Sequence, residues 1–212
     1  PGRVARYAQG RDYHNLLYKR ARKLAALLRD AGHGVRVAVD TLPVLERAWA
    51  RRAGLGFIGK NSCLIIPGVG SHVLLSCLVT SADLVPDSPI KERCGECTRC
   101  LDGCPTAAFV GPRQLDGRRC ISYLTIEQRG AIPMELRAQV GEWIFGCDAC
   151  QDICPFNAGR VPDEANTEAF ASHPRWQAQE ASDLLEMDED GFAEYAKGSP
   201  IKRPGRTGMA RN

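Results

Sequence analysis

The stretch CGECTRCLDGCP, residues 94–105, decides how much of the chain must fold. Its cysteines fall at Cys94, Cys97, Cys100 and Cys104, with Pro105 directly after the last. Three thiolates within seven residues reach three corners of one cubane only if the backbone wraps tightly around it. The fourth, beyond a turn stiffened by proline, points to a second cluster, and this is the spacing of a [4Fe–4S] ligand run. Outward from it comes a second, degenerate set: Cys120, then Cys147, Cys150 and Cys154 followed by Pro155, the first ligand having moved upstream by a long insertion. Crossed ligation gives Cys94, Cys97, Cys100 and Cys154 to cluster one, and Cys104, Cys120, Cys147 and Cys150 to cluster two.

The run is that of bacterial-type ferredoxins. Two four-cysteine zinc sites are the alternative, since zinc also takes four thiolates. Zinc ribbons, however, space their ligands as separated CxxC knuckles rather than as a triple run ending in Cys-Pro. A cluster core of about +2 held by four thiolates carries about −2. Two clusters therefore move the formal charge of +3 to roughly −1.

With 212 residues, 44% hydrophobic and 25% charged, the chain has globular composition, which excludes disorder throughout. Eight of its ten cysteines lie between Cys94 and Cys154, which indicates ligation rather than stapling. No apolar run approaches the roughly 18 residues of a membrane-spanning helix. The opening PGRVARYAQGRDYH lacks the apolar core of a secretory signal, and the chain reads as a fragment whose ends continue in a longer protein. Charge is uneven. Residues 1–60 hold 13 Lys and Arg against 4 Asp and Glu, whereas residues 161–212 hold 6 against 10. A basic surface of that kind attracts polyanions, although charge alone does not identify nucleic acid.

Along the chain, Asp12 caps a helix carrying Leu17, Ala21, Leu24 and Leu28 at steps of three or four, ended by Gly32 and Gly34. Val35–Val39 reads as a strand with Asp40 at its carboxyl end, and Pro43 as the first position of a helix running to residue 53. GLGFIGKN, residues 54–61, is too glycine-rich for regular structure. Two apolar strand-like runs follow, Cys63–Ile66 and Val73–Thr80, so the order suggests an α/β layer. Composition changes near residues 81–91, which divides the chain into 1–85, 86–160 and a weakly helical 161–212. In the last part an amphipathic piece over Asp183–Ala196 is interrupted at Gly191, and nothing after Lys197 resembles a packed element. Cys63 and Cys77 read as buried free thiols, and His33 and His72 as bland. His14, beside Tyr13 at a helix start, is less so.

The segments GRDYH, VDTLPVLERAWARRAGLGFIGKN, CGECTRCLDGCPTAA, LDGRRCISYLTIEQRG, IFGCDACQDICPFN and GSPIKRPGRTGMARN together resemble the epoxyqueuosine reductase family. The resemblance implies an α+β protein: a nitroreductase-like α/β domain binding base-off cobalamin, then a ferredoxin-like domain with two [4Fe–4S] clusters. Often a HEAT-like helical tail follows, which is absent here. Leu42, Phe57 and the SHVLLSCLVT strand depart from the family's usual pattern around the cobalamin.

The implied activity is reduction of epoxyqueuosine to queuosine in the anticodon loop of tRNA, in the cytoplasm, by a monomer fed by an external low-potential electron donor. Opening an epoxide puts negative charge on oxygen, which calls for a positioned acid. By resemblance that proton donor is Asp40, at a strand end where α/β domains gather ligands. Lys60 and Asn61 are candidates for the corrin, and so is Ser122, just after Cys120. Arg118, Arg119 and Arg129 are candidates for tRNA. The rival readings are a corrinoid reductive dehalogenase and a ferredoxin-type electron carrier. The stretch ahead of Cys94, with an acid at a strand end, argues against the carrier.

Overall fold

A computed structural model of the chain describes residues 2–159, 170–178 and 181–212. Its longest element starts where the cap signal placed it. The Asp12 side chain accepts the N–H of His14 and opens helix α2 (Tyr13–Asp30). Before it lie two short elements that sequence reading did not foresee, strand β1 (Arg3–Val4) and helix α1 (Arg6–Gln9). Gly32, at a φ of 88°, turns the chain from α2 into β2 (Val35–Ala38). Ala21 and Ala25 are small enough to let α2 lie against Val37 and Val39.

Several local expectations are corrected. The next helix, α3, spans Glu46–Arg52 and does not start at Pro43. Asp40 adopts a left-handed backbone (φ 52°), and its N–H donates to the Glu46 carboxylate at 3.1 Å, so residues 40–45 are spent on a turn. GLGFIGKN is not irregular: β3 (Phe57–Ile58) pairs antiparallel with β4 (Leu64–Ile65), and Phe57 and Ile65 are buried. Glycine is required at 56 because the carbonyl of Ile65 lies where a Cβ would stand. The strand expected over Val73–Thr80 is confined to β5 (Cys77–Thr80), which pairs antiparallel with β2, Ala38 opposite Cys77. The layer is therefore a helix on a two-stranded antiparallel sheet.

The cysteine-bearing region contains α4 (Arg99–Asp102), the hairpin β6 (Phe109–Gly111) and β7 (Gln114–Leu115), α5 (Ile121–Ile126), α6 (Met134–Val140), β8 (Trp143–Phe145) and α7 (Ala149–Asp152). β8 pairs parallel with β1, so the first residues lie beside residues 143–145. The largest core gathers Val4 and Ala8 from the start, Ile126, Ile144 and Phe145 from the middle, and Leu184, Phe192, Ile201 and Met209 from the end. Gly146 (φ 67°) allows the crossing, since a Cβ there would stand 2.6 Å from that of Ala5.

The amphipathic piece over Asp183–Ala196 is two helices, Ala181–Glu186 and Glu189–Tyr195. They divide at Asp188, which caps the second by accepting the N–H of Gly191, so the glycine lies inside a helix rather than breaking one. The closing stretch is packed, against expectation, as a turn at Pro200–Lys202 and a helix, Gly205–Arg211. Arg211 donates to the carbonyls of Leu124 (2.7 Å) and Gly130 (2.8 Å), and Asn212 to those of Thr125 (2.7 Å) and Ile144 (2.9 Å). Among the described residues no helix is long and apolar enough to cross a membrane.

Candidate functional site

Each cysteine run folds into a tight loop closed by a single helical turn, α4 carrying Cys100 and α7 carrying Cys150. Cys97 N–H donates to the carbonyl of Cys94 at 3.1 Å, which curls the first loop so that its thiols share one side. Cys94, Cys97, Cys100 and Cys154 line a cavity of about 250 Å³ together with Ile65 and Phe156. Burial pushes the Cys100 thiol up, and Cys154 and Cys94 push it further. In the other group burial raises Cys147 to about 11, with Cys120 and Cys104 adding to the rise. Four of the thiols thus line one cavity, and Cys104 and Cys120 lie near enough to Cys147 to act on it. Where burial and neighbouring thiolates both oppose ionisation, a cationic core supplies the missing compensation. Among the described residues no three His, Cys, Asp or Glu side chains converge as one ion requires. Zinc thiolates sit at about 2.3 Å from the metal, whereas cubane ligands stand at separated corners.

Lys60 and Asn61, expected at the corrin, have their polar ends engaged by the cysteine loops instead. Lys60 Nζ donates to the carbonyl of Gly95 at 2.7 Å. Asn61, 4% exposed, accepts the N–H of Cys63 at 3.1 Å and donates to the carbonyl of Cys150 at 3.2 Å. Both follow from the β3–β4 hairpin, whose turn packs into the loops while Phe57 meets Phe156 edge to face at 5.3 Å. Nor is Cys63 buried and inert. It is half-buried and in contact with Cys150, which pulls its thiol below the ordinary value against the effect of burial, with Arg47 assisting. Cys77 is likewise half-buried, its thiol pushed up by burial and then by Glu46.

Asp40 stands at the end of β2 with its side chain 63% exposed. Tyr13 donates its hydroxyl to Asp40 Oδ2 at 2.9 Å, and His14 Nε2 lies 3.3 Å from the same oxygen. The other ring nitrogen, Nδ1, is 2.7 Å from Oδ1 of Asp12. Burial alone would raise the Asp12 carboxyl, but its bonds from His14, aided by Lys202 at 3.5 Å, hold it below the usual range. The Tyr13 phenol is pushed far above its ordinary value by burial and by Asp40, so it remains a donor. Tyr13 stacks on His14 with ring centroids 4.1 Å apart. Arg203, held by Glu127 through contacts of 2.6 and 3.1 Å, extends its field to Asp40 and Tyr13. Sequence reading noticed His14 but missed Tyr13, the second task of Asp12, and Lys202 and Arg203. The last two come from a stretch nearly 190 positions away from Asp12, and only the pairing of basic residues with SPIK after a glycine hinted at an ordered turn.

A concavity of about 670 Å³ begins at Thr41 and Leu42, just past Asp40, and is lined by Arg22, Arg29 and Arg36. Ser122 is half-buried in the first turn of α5, two residues after Cys120. Of the arginines expected at tRNA, Arg118 forks onto Asp116 (2.9 Å for both contacts), Arg119 donates to the carbonyl of Thr106 at 2.9 Å, and Arg129 donates to that of Arg203 at 3.2 Å. All three brace loops of the protein itself.

Comparison with known proteins adds the following. Residues 93–157 match the family described as a 4Fe-4S double cluster binding domain, and residues 1–41 match the one described as epoxyqueuosine reductase QueG, DUF1730. The chain is 47% identical to the epoxyqueuosine reductase of Xanthomonas campestris over 99% of its own length and 59% of that protein's. It is 39% identical to that of Cellulophaga algicola, covering 99% of this chain and 69% of the other. A crystal structure of an epoxyqueuosine reductase with an epoxyqueuosine-modified tRNA-Tyr stem loop superposes with a TM-score of 0.93 at 35% identity, over 99% of this chain and 55% of that one. The Bacillus subtilis enzyme, seen with its catalytic loop swung out of the active site, gives 0.88 at 34% identity, over 99% and 55%. The chain thus spans about six-tenths of the length of the curated relatives it matches.

Proposed function

The chain belongs to the epoxyqueuosine reductase family, and from that premise we propose that it forms part of an enzyme reducing epoxyqueuosine to queuosine in the anticodon loop of tRNA. The observation that carries this reading is Asp40, an acid hydrogen-bonded by Tyr13 and His14, in one chain with two four-cysteine groups. In this reading residues 1–85 belong to a nitroreductase-like cobalamin domain, 86–160 form a ferredoxin-like domain, and 161–212 lead on to a helical tail. Cys94, Cys97, Cys100 and Cys154 hold one [4Fe–4S] cluster, and Cys104, Cys120, Cys147 and Cys150 the other. Base-off cobalamin would be held beside Asp40, where Arg22, Arg29 and Arg36 of the concavity would meet its phosphate-bearing tail, with Ser122 a further candidate contact. When bound, these groups supply a low-valent cobalt nucleophile and single electrons from an external low-potential donor.

The chain's own residues do the proton chemistry. Asp40 donates to the epoxide oxygen as the ring opens, Tyr13 keeps the carboxyl oriented, and the Arg203–Glu127 pair sets the local field. Lys60 and Asn61 hold the cluster loops in place. The surroundings are the cytoplasm, the enzyme is a monomer, and the partner is tRNA bearing epoxyqueuosine.

The test is Asp40→Asn in the longer protein that contains this chain. Iron, sulfide and corrin contents should stay at the wild-type level, near eight iron and eight sulfide for two cubanes. Conversion of epoxyqueuosine should fall by about 10²–10⁴-fold. Wild-type turnover at unchanged cofactor content would reduce Asp40 to a turn residue, and loss of corrin with turnover would make it a binding residue.

A further inference from the structure

The proposed reaction consumes two protons for its two electrons, and one carboxyl holds one proton. Asp40 therefore has to be recharged within each turnover, and the groups bonded to it decide by what. Glu46 bonds its backbone N–H and leaves the carboxyl alone. Tyr13 donates to Oδ2, but burial and the Asp40 charge keep its phenol protonated. His14 remains. Its ring lies between two carboxylates, Nε2 at 3.3 Å from Asp40 Oδ2 and Nδ1 at 2.7 Å from Asp12 Oδ1. Asp12 is 5% exposed and anchored as the cap of α2, so it cannot swing away.

We infer that His14 is a positioning residue that passes the second proton to Asp40, and that Asp12 fixes the tautomer in which it does so. This rests on the proposed reduction of an epoxide. Asp40 gives its proton to the oxygen of the opening ring. The imidazolium then moves its Nε2 proton to Asp40 Oδ2 and becomes neutral imidazole, its Nδ1–H bonded to Asp12. Solvent reprotonates the ring. Over one cycle the epoxide takes two electrons, supplied by the external low-potential donor, and two protons. The carbon–oxygen bonds break, an alkene remains, and the oxygen leaves as water. The charged and titratable groups facing this relay are Asp12 and Tyr13 on its own helix, Tyr7 of α1 packed edge to face on Tyr13, Asp40 and Glu46 from the β2–α3 turn, and Lys202 and Arg203 from the closing stretch. Stacking of Tyr13 on the imidazole keeps the ring in the plane that both contacts need.

The experiment uses the holoenzyme containing this chain, with His14→Gln, His14→Ala and Asp12→Asn. Nitrogen-15 histidine spectra should show Nδ1 protonated in the wild type, and the Nε2 signal of His14 should shift when Asp40 is changed to Asn. That arm needs no substrate. In multiple turnover, His14→Gln should lose at least tenfold at unchanged iron and corrin content. Its dependence of rate on pH should differ from that of the wild type. Free imidazole should restore turnover to His14→Ala. Wild-type turnover and pH profile in His14→Gln would overturn the relay, and so would failure of imidazole to rescue a correctly loaded His14→Ala. Should the wild type itself not convert epoxyqueuosine, the proposed function falls. The spectra then still decide the His14–Asp40 contact, and a His14 Nε2 signal unmoved by Asp40→Asn overturns it.

Discussion

Asp12 does two jobs with one carboxylate. It caps α2 through the N–H of His14 and grips the imidazole of the same residue. Replacement by Ala should cost about 0.5–2 kcal/mol of stability through the cap alone, readable in denaturant unfolding. Asp12→Asn should keep most of the cap while losing the charge. The folded carboxyl titrates below its ordinary value of 3.8, so its contribution is complete above that value and disappears as pH falls through the depressed one. Acid unfolding of the wild type should thus be steeper below that point than that of Asp12→Asn. Equal acid limbs for the two proteins would show that the ion pair adds nothing. Gly56 is the backbone counterpart: a Cβ there would strike the carbonyl of Ile65, so Gly56→Ala should open the β3–β4 hairpin.

At the scale of elements, that hairpin is the brace of the cluster region. Asn61 joins its turn to the loop of Cys150, and Asn61→Ala would leave a part-buried N–H and a part-buried carbonyl without their partner, a penalty of about 1 kcal/mol. The expected outcome is faster loss of iron to a chelator, with Asp40-dependent chemistry otherwise intact per loaded molecule. An iron release rate equal to that of wild type would mean the clamp is idle. Cys120, placed at the start of α5 by the turn around Asp116, offers a separate check. Cys120→Ser should disturb the electron paramagnetic resonance signal of cluster two and spare that of cluster one. Equal loss of both signals would dissolve the crossed grouping or show that the two sites fold as one unit.

For the whole molecule, the core that joins the first residues to the middle and the end predicts cooperative unfolding. Phe145, 1% exposed, lies at its centre beside β1, and Phe145→Ala should cost about 3–5 kcal/mol. Because β1 leans on β8 and the Arg6 N–H donates to Asp148 at 2.7 Å, beside Cys147, that loss should reach the clusters as well. Removing iron should in turn lower the unfolding midpoint of the entire chain rather than of residues 93–157 alone, since the binding free energy of a metal centre is also folding free energy. Separate transitions in calorimetry would contradict this.

The sequence by itself determined the two cysteine runs, the cap at Asp12, the strand ahead of Asp40 and the family to which the chain belongs. Each is a local pattern whose chemistry depends on spacing of a few residues. It misjudged GLGFIGKN, because glycines that suggest irregular backbone in isolation are what a close approach by Ile65 demands. It gave no sign that Lys60 and Asn61 bond to the cysteine loops, and it left the closing stretch unstructured. Tertiary structure alone brought Lys202 to Asp12, Arg203 to the surroundings of Asp40, and the first strand to residues 143–145. Those contacts join segments far apart in the chain. Burial of a shared apolar core holds them together, and no local periodicity records which distant segments will share one.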